Sequence, residues 1–414
     1  MTTAPTEPTE RAASQQLLVQ LLDPINRADP YPLYAQLRDR GPVVFPKANL
    51  AVFSAYRDCD EILRHPSSSS DRLNSTIAQR QISEGAELRP LGPPGFLFLD
   101  PPDHTRLRRL VSKAFVPKVV NALQPDIRAL VDGLLDRIAE NGRFDLIRDF
   151  AYPLPVAVIC RLLGVPLEDE PKFSSASALL AQSLDPFVAS DGESDDMIDE
   201  RMGAARWLRD YFLDLIERRR LRPGDDLMSG LVAVEESGDQ LGTDEIVATC
   251  NLLLIAGHET TVNLIANAVL AMLRHPAQWT ALGADADRAP AVVEETLRYD
   301  PPVQLAGRIA AEHMTIGDVV VPKGDNMMLL LAAAQRDPAE FDRPDVFDPD
   351  RKALRHLGFG RGIHYCLGAP LARLEASVAL SAVTARFPDA RLDSEPQYKP
   401  NVTLRGLSAL TIAV

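Results

Sequence analysis

Cysteine is scarce in this chain, and its four copies, Cys59, Cys160, Cys250 and Cys366, stand far apart with no Cys-x-x-Cys pair among them. That spacing excludes a zinc ribbon and a disulfide framework, and it fits a reducing cytoplasm. Basic residues are in deficit: 44 Lys and Arg face 58 Asp and Glu, a net charge of −14. General nucleic-acid binding needs a basic surface and is excluded on that balance, although a local basic patch is not. No apolar run reaches membrane-spanning length without interruption, since the stretch 252–255 is soon followed by Gly257, His258 and Glu259. The first residues lack the charged-then-apolar pattern of a secretory signal, so a soluble, cytoplasmic protein without a membrane anchor is expected. A Gly/Ser-rich or repetitive linker is also missing. At 414 residues the length alone would suggest two or three domains, but one domain over 17–414 is expected, behind a flexible polar tail at 1–16.

One cysteine has a distinctive frame. Cys366 lies in Phe359-Gly-Arg-Gly-Ile-His-Tyr-Cys-Leu-Gly-Ala-Pro-Leu-Ala-Arg373, and a helix-forming run begins just after it. A thiol at a helix start faces free backbone N–H groups and the positive end of the macrodipole, and both favour its thiolate. Gly360, Gly362 and Gly368 remove side chains where the backbone must turn or a flat ligand must lie close. His364 can aim a donor at an anionic group beside the sulfur.

Ahead of this loop the pattern is mostly helical. A short helix over 29–40, a hairpin over 43–53 turning at Lys47-Ala48-Asn49, and a helix over 56–65 open the chain. Residues 67–95 show weak periodicity and read as a lid or binding loop, or as disordered. The apolar run Phe96-Leu97-Phe98-Leu99 can dip into a pocket. A helix capped by Asp103 then runs to Phe115. His104 and Arg108 share one of its faces at i,i+4, while Arg106, Arg109 and Lys113 form a basic stripe. Residues 119–163 read as helical with breaks near Asn141-Gly142 and Tyr152-Pro153. Two more helices, 172–187 and 197–220, are joined by an acidic loop at 190–196. Later come strands within 303–321, a short helix at 329–337, an irregular segment at 338–356, a helix to Arg386 and a hairpin around 401–408.

The spacing predicts one unusually long helix over Thr243–Arg274, apolar all round at Leu252-Leu-Leu-Ile255 and therefore interior. Within it lies Ala256-Gly-His-Glu-Thr260-Thr. A mid-helix glycine costs about 1 kcal/mol relative to alanine, so Gly257 points to something bulky nearby. Thr260 can bond the carbonyl of Ala256 four residues back, which bends or opens a helix and leaves room for oxygen and water beside Glu259, an acid able to relay protons. His258 is about 100° round the helix from Glu259 and is read as packed rather than metal-ligating. Further on, Glu295 and Arg298 form an i,i+3 pair which, if buried, needs additional partners to offset desolvation. Glu294, on a different face, is the weaker candidate for this pair than Glu295.

Taken together, Phe359-x-x-Gly-x-His-x-Cys366-x-Gly368, Ala256-Gly-x-Glu259-Thr260 and Glu295-x-x-Arg298 resemble, in order and over nearly the whole chain, the motifs of the cytochrome P450 family. The resemblance implies a mainly α fold with a large helical part and a smaller β-rich part. It implies haem b held by the Cys366 thiolate, whose electron donation favours O–O cleavage. Phe359, His364, Gly368 and Ala256 would contact the haem, and His104, Arg108 and Arg308 would hold its propionates. Glu259 and Thr260 would supply protons, and Arg351 would join Glu295 and Arg298 as the third, structural member of their network. Phe96, Leu97, Leu253, Val303, Leu305, Thr403 and Leu404 would line the substrate pocket. The expected reaction is hydroxylation or epoxidation of an apolar small molecule. No flavin or iron–sulfur segment is fused, so electrons are expected from a separate ferredoxin and its reductase. A peroxide-using haem-thiolate enzyme and a non-catalytic haem sensor or carrier are the alternatives.

Overall fold

The computed structural model describes residues 8–86, 93–140, 142–182, 195–236, 241–352 and 354–414. Helix α1, Pro8–Leu22, occupies much of the stretch expected to be a flexible tail. Leu17 and Leu21, one turn apart, are buried with Tyr34 and Leu37 of α2 (Tyr31–Asp39), and that apolar contact orders the segment. The hairpin appears as read: β1 (Val43–Phe45) and β2 (Leu50–Phe53) are antiparallel, with Asn49 in the left-handed region at the turn. Helix α3 covers Tyr56–Arg64.

Of the stretch 67–95, residues 87–92 lie outside the described residues, and the rest is more structured than its periodicity predicts. It contains β3 (Ser68–Ser69) and α4 (Thr76–Ser83), which begins where Ser75 Oγ accepts from the Ala78 N–H at 3.1 Å. A capped helix of eight residues is too short to show a clear apolar period. Helix α5 is Asp103–Ser112, but Pro102 holds the cap position and Asp103 is the first helical residue; its carboxylate turns to Arg106 at 3.2 Å. Next come α6 (Pro117–Ala122), α7 (Gln124–Ala139), β4 (Arg143–Asp145) and α8 (Pro153–Leu163). Strand β4 interrupts a stretch read as helical because a C-terminal strand pairs with it, Ile412 against Phe144. Helices α9 (Glu170–Gln182) and α10 (Asp195–Leu221) form the expected pair, and the end of the first predicted helix and most of the acidic loop lie outside the described residues.

After α11 (Leu227–Glu236), α12 covers Thr243–Arg274 and coincides with the predicted long helix. Its start is held by Glu245, which accepts from the Gly242 N–H at 3.0 Å and pairs with Arg106 at 2.5 Å. By length and composition α12 alone, among the described residues, would pass for a membrane span. Its apolar stretch is instead largely buried against α8, α9, α14 (Ala289–Tyr299) and α16 (Ala369–Arg386). Helix α13 (Pro276–Ala284) and the four-residue α15 (Leu331–Ala334) complete the helices. The strands β5 (Leu305–Ala310), β6 (Met314–Ile316) and β7 (Val319–Val321) lie where alternation predicts. Strand β8 (Asn326–Leu330) replaces the start of the helix expected at 329–337, since its Met328, Leu329 and Leu330 are buried at the centre of a five-stranded sheet, order β1-β2-β8-β5-β3. Only β2 and β8 run parallel there. The chain closes with β9 (Arg391–Leu392), β10 (Gln397–Tyr398), β11 (Leu407–Ala409) and β12 (Thr411–Ala413).

The expected Glu295–Arg298–Arg351 group is assembled and buried. Arg298 donates twice to Glu295, at 2.6 and 2.8 Å, and its other donors reach the carbonyls of Gln335 (3.2 Å), Pro344 (2.6 Å) and Val346 (3.0 Å). Arg351 Nε meets Glu295 at 3.1 Å, and the Asp348 N–H donates to the same carboxylate at 2.8 Å. Buried ions survive when every donor and lone pair finds a partner. Replacing Arg298 with leucine strands Glu295 without its bidentate partner. Arg298→Leu should therefore lose about 3–5 kcal/mol of stability, seen as a lower denaturant midpoint or as loss of soluble protein, whereas an unchanged midpoint would mean the network is slack.

Candidate functional site

The loop before α16 is fixed by its own backbone and by α14. The Cys366 N–H donates to Phe359 O at 2.8 Å, the Tyr365 N–H to Gly362 O at 3.1 Å, and the Gly360 N–H to Leu357 O at 2.8 Å. Gly362 has φ +66°, and a Cβ there would lie 2.5 Å from the carbonyl oxygen of Leu63 in α3. Only glycine meets both demands. Arg373 lies over the buried Phe359 ring at 4.6 Å and donates to the Tyr365 hydroxyl at 3.2 Å. Its other N–H groups reach Glu294 at 2.6 and 3.0 Å, and His356 Nε2 meets the same carboxylate at 3.0 Å. Burial by itself would raise the Glu294 pKa, yet His356 and Arg373 hold it down at about 2. Glu294, which the sequence offers only as an alternative to Glu295, thus anchors the cysteine loop, while Glu295 anchors the segment leading to it.

Cys366 is half-buried where α16 begins, with the N–H groups of Gly368 and Ala369 directed at its sulfur. Burial nonetheless pushes the thiol above its ordinary pKa. It outweighs the pull of those N–H groups, Arg108 and Arg373. The helix terminus alone therefore does not make the thiolate predicted from sequence; desolvation wins, and a coordinating cation is what would deprotonate it outright.

Four nitrogen-bearing side chains gather beside this loop. The rings of His104 and His364 lie 4.2 Å apart, and all four of their nitrogens are buried without a hydrogen-bond partner. Arg108 donates to Tyr365 O, and Arg308 to Gly307 O at 2.7 Å. Among the described residues no carboxylate bonds to any of the four. Burial lowers the Arg308 pKa to about 10. Burial, then Arg308, His104 and Arg108, lower that of His364 to about 3. Burial followed by Arg108 lowers His104. Orphaned buried donors of this kind call for an anionic partner.

On α12, Thr260 Oγ1 donates to Ala256 O at 2.7 Å, as read from the sequence. The helix stays unbroken there, so the opened turn is not formed. Gly257 faces α8, where a Cβ would meet Ile159 Cδ1 at 3.3 Å. His258 is packed as expected: its ring is edge-on to Tyr152, and its Nδ1 lies 3.0 Å from Leu254 O. Glu259 is ion-paired with Lys399 at 2.5 Å. No motif announces Lys399, a lone lysine just before Pro400, so sequence reasoning missed it.

The expected pocket residues divide. Phe96, Leu97 and Leu253 share the main apolar cluster, and Phe96 also packs on His104. Val303 bridges to Leu404, beside the buried Thr403. Leu305 instead packs with Leu17, Tyr34 and Leu330, away from Phe96, because β5 turns that face to the N-terminal helices. The turn bearing Thr403 and Leu404 is closed by Lys399 N–H to Gly406 O at 3.0 Å, and Gly406 presses on α12, where a Cβ would fall 1.9 Å from Asn263 Oδ1.

The family described as Cytochrome P450 matches residues 47–406. The vitamin D(3) 25-hydroxylase of Pseudonocardia autotrophica is 41% identical, over 93% of this chain and 94% of its own. The cytochrome P450 monooxygenase PikC of Streptomyces venezuelae is 40% identical, over 93% and 91%. Among solved structures, ligand-free CYP164A2 of Mycobacterium smegmatis is 67% identical, covers 97% of this chain and 100% of its own, and superposes with a TM-score of 0.92. The same protein has been solved with econazole bound.

The cysteine loop offers a direct test of this geometry. Gly362→Ala places a methyl group against the Leu63 carbonyl at a left-handed φ, at a cost of about 1–3 kcal/mol. Hydrogen exchange over 358–368 should accelerate in that variant while the five-stranded sheet keeps its protection. Unchanged exchange in the loop would show that the contact with α3 does not constrain it.

Proposed function

The chain belongs to the cytochrome P450 family of monooxygenases, and on that footing we propose that it binds haem b through Cys366 and hydroxylates or epoxidises an apolar small molecule. The observation that carries this reading is the pairing of a cysteine at a helix start with buried, anion-seeking nitrogens on and beside the same loop. Cys366 would ligate the haem iron, and His104, Arg108, Arg308 and His364 would hold the two carboxylates of the haem. The fit is chemical: a divalent or trivalent metal favours the thiolate that burial opposes, and propionates are the anions the four side chains lack. When bound, haem supplies the binding and reductive activation of dioxygen.

What the chain itself contributes follows from its side chains. Phe96, Leu97 and Leu253 exclude water and offer apolar surface to a substrate. The Thr260 hydroxyl spends its proton on Ala256 O, which leaves its oxygen free to accept from a neighbour. Glu259, one residue away, is the acid that can hold a proton and pass it toward that hydroxyl. Vitamin D(3), named for the Pseudonocardia relative, is a molecule of the expected apolar kind, and econazole, bound by the mycobacterial relative, is a probe for haem ligation.

Electrons would come from a ferredoxin and its reductase. Of the predicted basic stripe, Arg106 is taken up by Glu245 and Asp103, because the α12 terminus lies against it. Arg109 and Lys113 remain exposed, next to the exposed Val116 and Val119, on the segment whose His104 and Arg108 face the cysteine loop. A small acidic ferredoxin meeting a chain of net charge −14 would dock at such a local basic patch, with electrostatics setting mainly the association rate.

Two measurements test this reading. Cys366→His should keep the fold but lose both monooxygenase activity and the red-shifted carbon monoxide band of the reduced protein; a band that survives removes Cys366 as the ligand. Arg109→Glu should slow reduction by ferredoxin several-fold without changing the spectral response to econazole. Added salt should slow the wild type in the same way, since screening over about 8–10 Å erases surface steering. Stopped-flow rates indifferent to both charge and salt would move the docking site elsewhere.

A further inference from the structure

A carboxylate as enclosed as Glu259, 12% exposed, needs a cation or several donors. Its neighbour His258 supplies neither. Nδ1 of that ring lies 3.0 Å from the Leu254 carbonyl, which can only accept, so Nδ1 carries the proton. Nε2 then turns a lone pair toward Glu259 Oε2, 3.9 Å away. Burial also pushes the His258 pKa down and keeps the ring neutral. Among the described residues the counter-ion of Glu259 is Lys399, at 2.5 Å and itself 24% exposed.

Lys399 comes from the turn between β10 and β11, not from α12. That turn is fastened to α12 at two points four residues apart: Lys399 on Glu259, and Gly406 against Asn263. Between them, Asn401 Oδ1 accepts from the Leu404 N–H at 2.7 Å, and Leu404 pairs with Val303. The lysine thus fixes the rotamer of an acid from outside its helix, and it does so from the segment that faces the expected substrate.

We propose that Lys399 is a positioning residue, whose ion pair with Glu259 holds the carboxylate where it serves Thr260 and ties proton supply to the turn bearing Thr403 and Leu404. This rests on the relay reading above. The lysine gives up no proton: Glu259 takes its proton from water and passes it on, and the ammonium group only orients it.

The test uses the haem-loaded protein with a surrogate ferredoxin and reductase and no substrate, so that substrate identity does not enter. Lys399→Met should keep the carbon monoxide band of the wild type but consume oxygen about fivefold more slowly, as expected for loss of a half-buried ion pair, with a larger solvent deuterium effect. In the resting protein, exchange of the amides at 256–263 should quicken. Lys399→Arg should recover most of both readouts, and Lys399→Gln should behave as the methionine variant does. On a Glu259→Gln background, Lys399→Met should add nothing, because the lysine acts through the acid. Oxygen consumption and isotope effect equal to wild type in Lys399→Met, no recovery with arginine, or an undiminished loss on the Glu259→Gln background would each overturn the inference alone. A wild-type protein without the band would overturn the haem-thiolate reading and this inference with it.

Discussion

A guanidinium with no access to water governs this structure. Arg298 makes five hydrogen bonds, two to Glu295 and three to carbonyls of the irregular segment after α15, so its desolvation is offset only if that segment closes around it. Among its described residues between Pro338 and His356 the segment has almost no regular hydrogen bonding of its own, and it leads straight into the cysteine loop. A flexible connector thereby becomes a fixed platform. Helix α14 serves both ends of it, Glu295 inward to Arg298 and Arg351, Glu294 outward to His356 and Arg373.

Helix α12 meets a second constraint, since it is at once the middle of the core and the wall of the candidate site. Its apolar run satisfies the first role. The polar residues at 258–261 satisfy the second, each with a partner that keeps the helix intact: Thr260 and Thr261 bond back to carbonyls four residues away, His258 does the same through its ring, and Glu259 reaches off the helix altogether. Polar chemistry is thus inserted into a buried helix without leaving its backbone unsatisfied.

Much of this was legible in the chain. The long apolar period of α12 matched its observed limits, because a helix buried on every side leaves an unmistakable pattern. Cys366 was legible because glycines at fixed offsets have few structural excuses, and Gly362 shows why: contact with α3 and a left-handed backbone leave no other residue. What stayed hidden depends on contacts between distant segments. The strands β4 and β8 are too short to declare themselves and exist through their partners. Arg106 looked like part of a basic surface until Glu245, far along the chain, took it up. Helix α1 looked like a tail because its two buried leucines make sense only against α2. Asp103 looked like a cap, but two preceding prolines set the helix start one residue earlier.

The turn from Lys399 to Gly406 has a bearing on how such a protein can diversify. Its two ends are pinned to α12, one by charge and one by the close packing of Gly406 on the Asn263 side chain, while its tip projects Thr403 and Leu404 toward Val303. Variation at the tip need not displace either anchor, and it reaches Glu259 beneath only through Lys399. Selection can therefore reshape the tip within two or three adjacent codons, leaving the anchors as an invariant chassis.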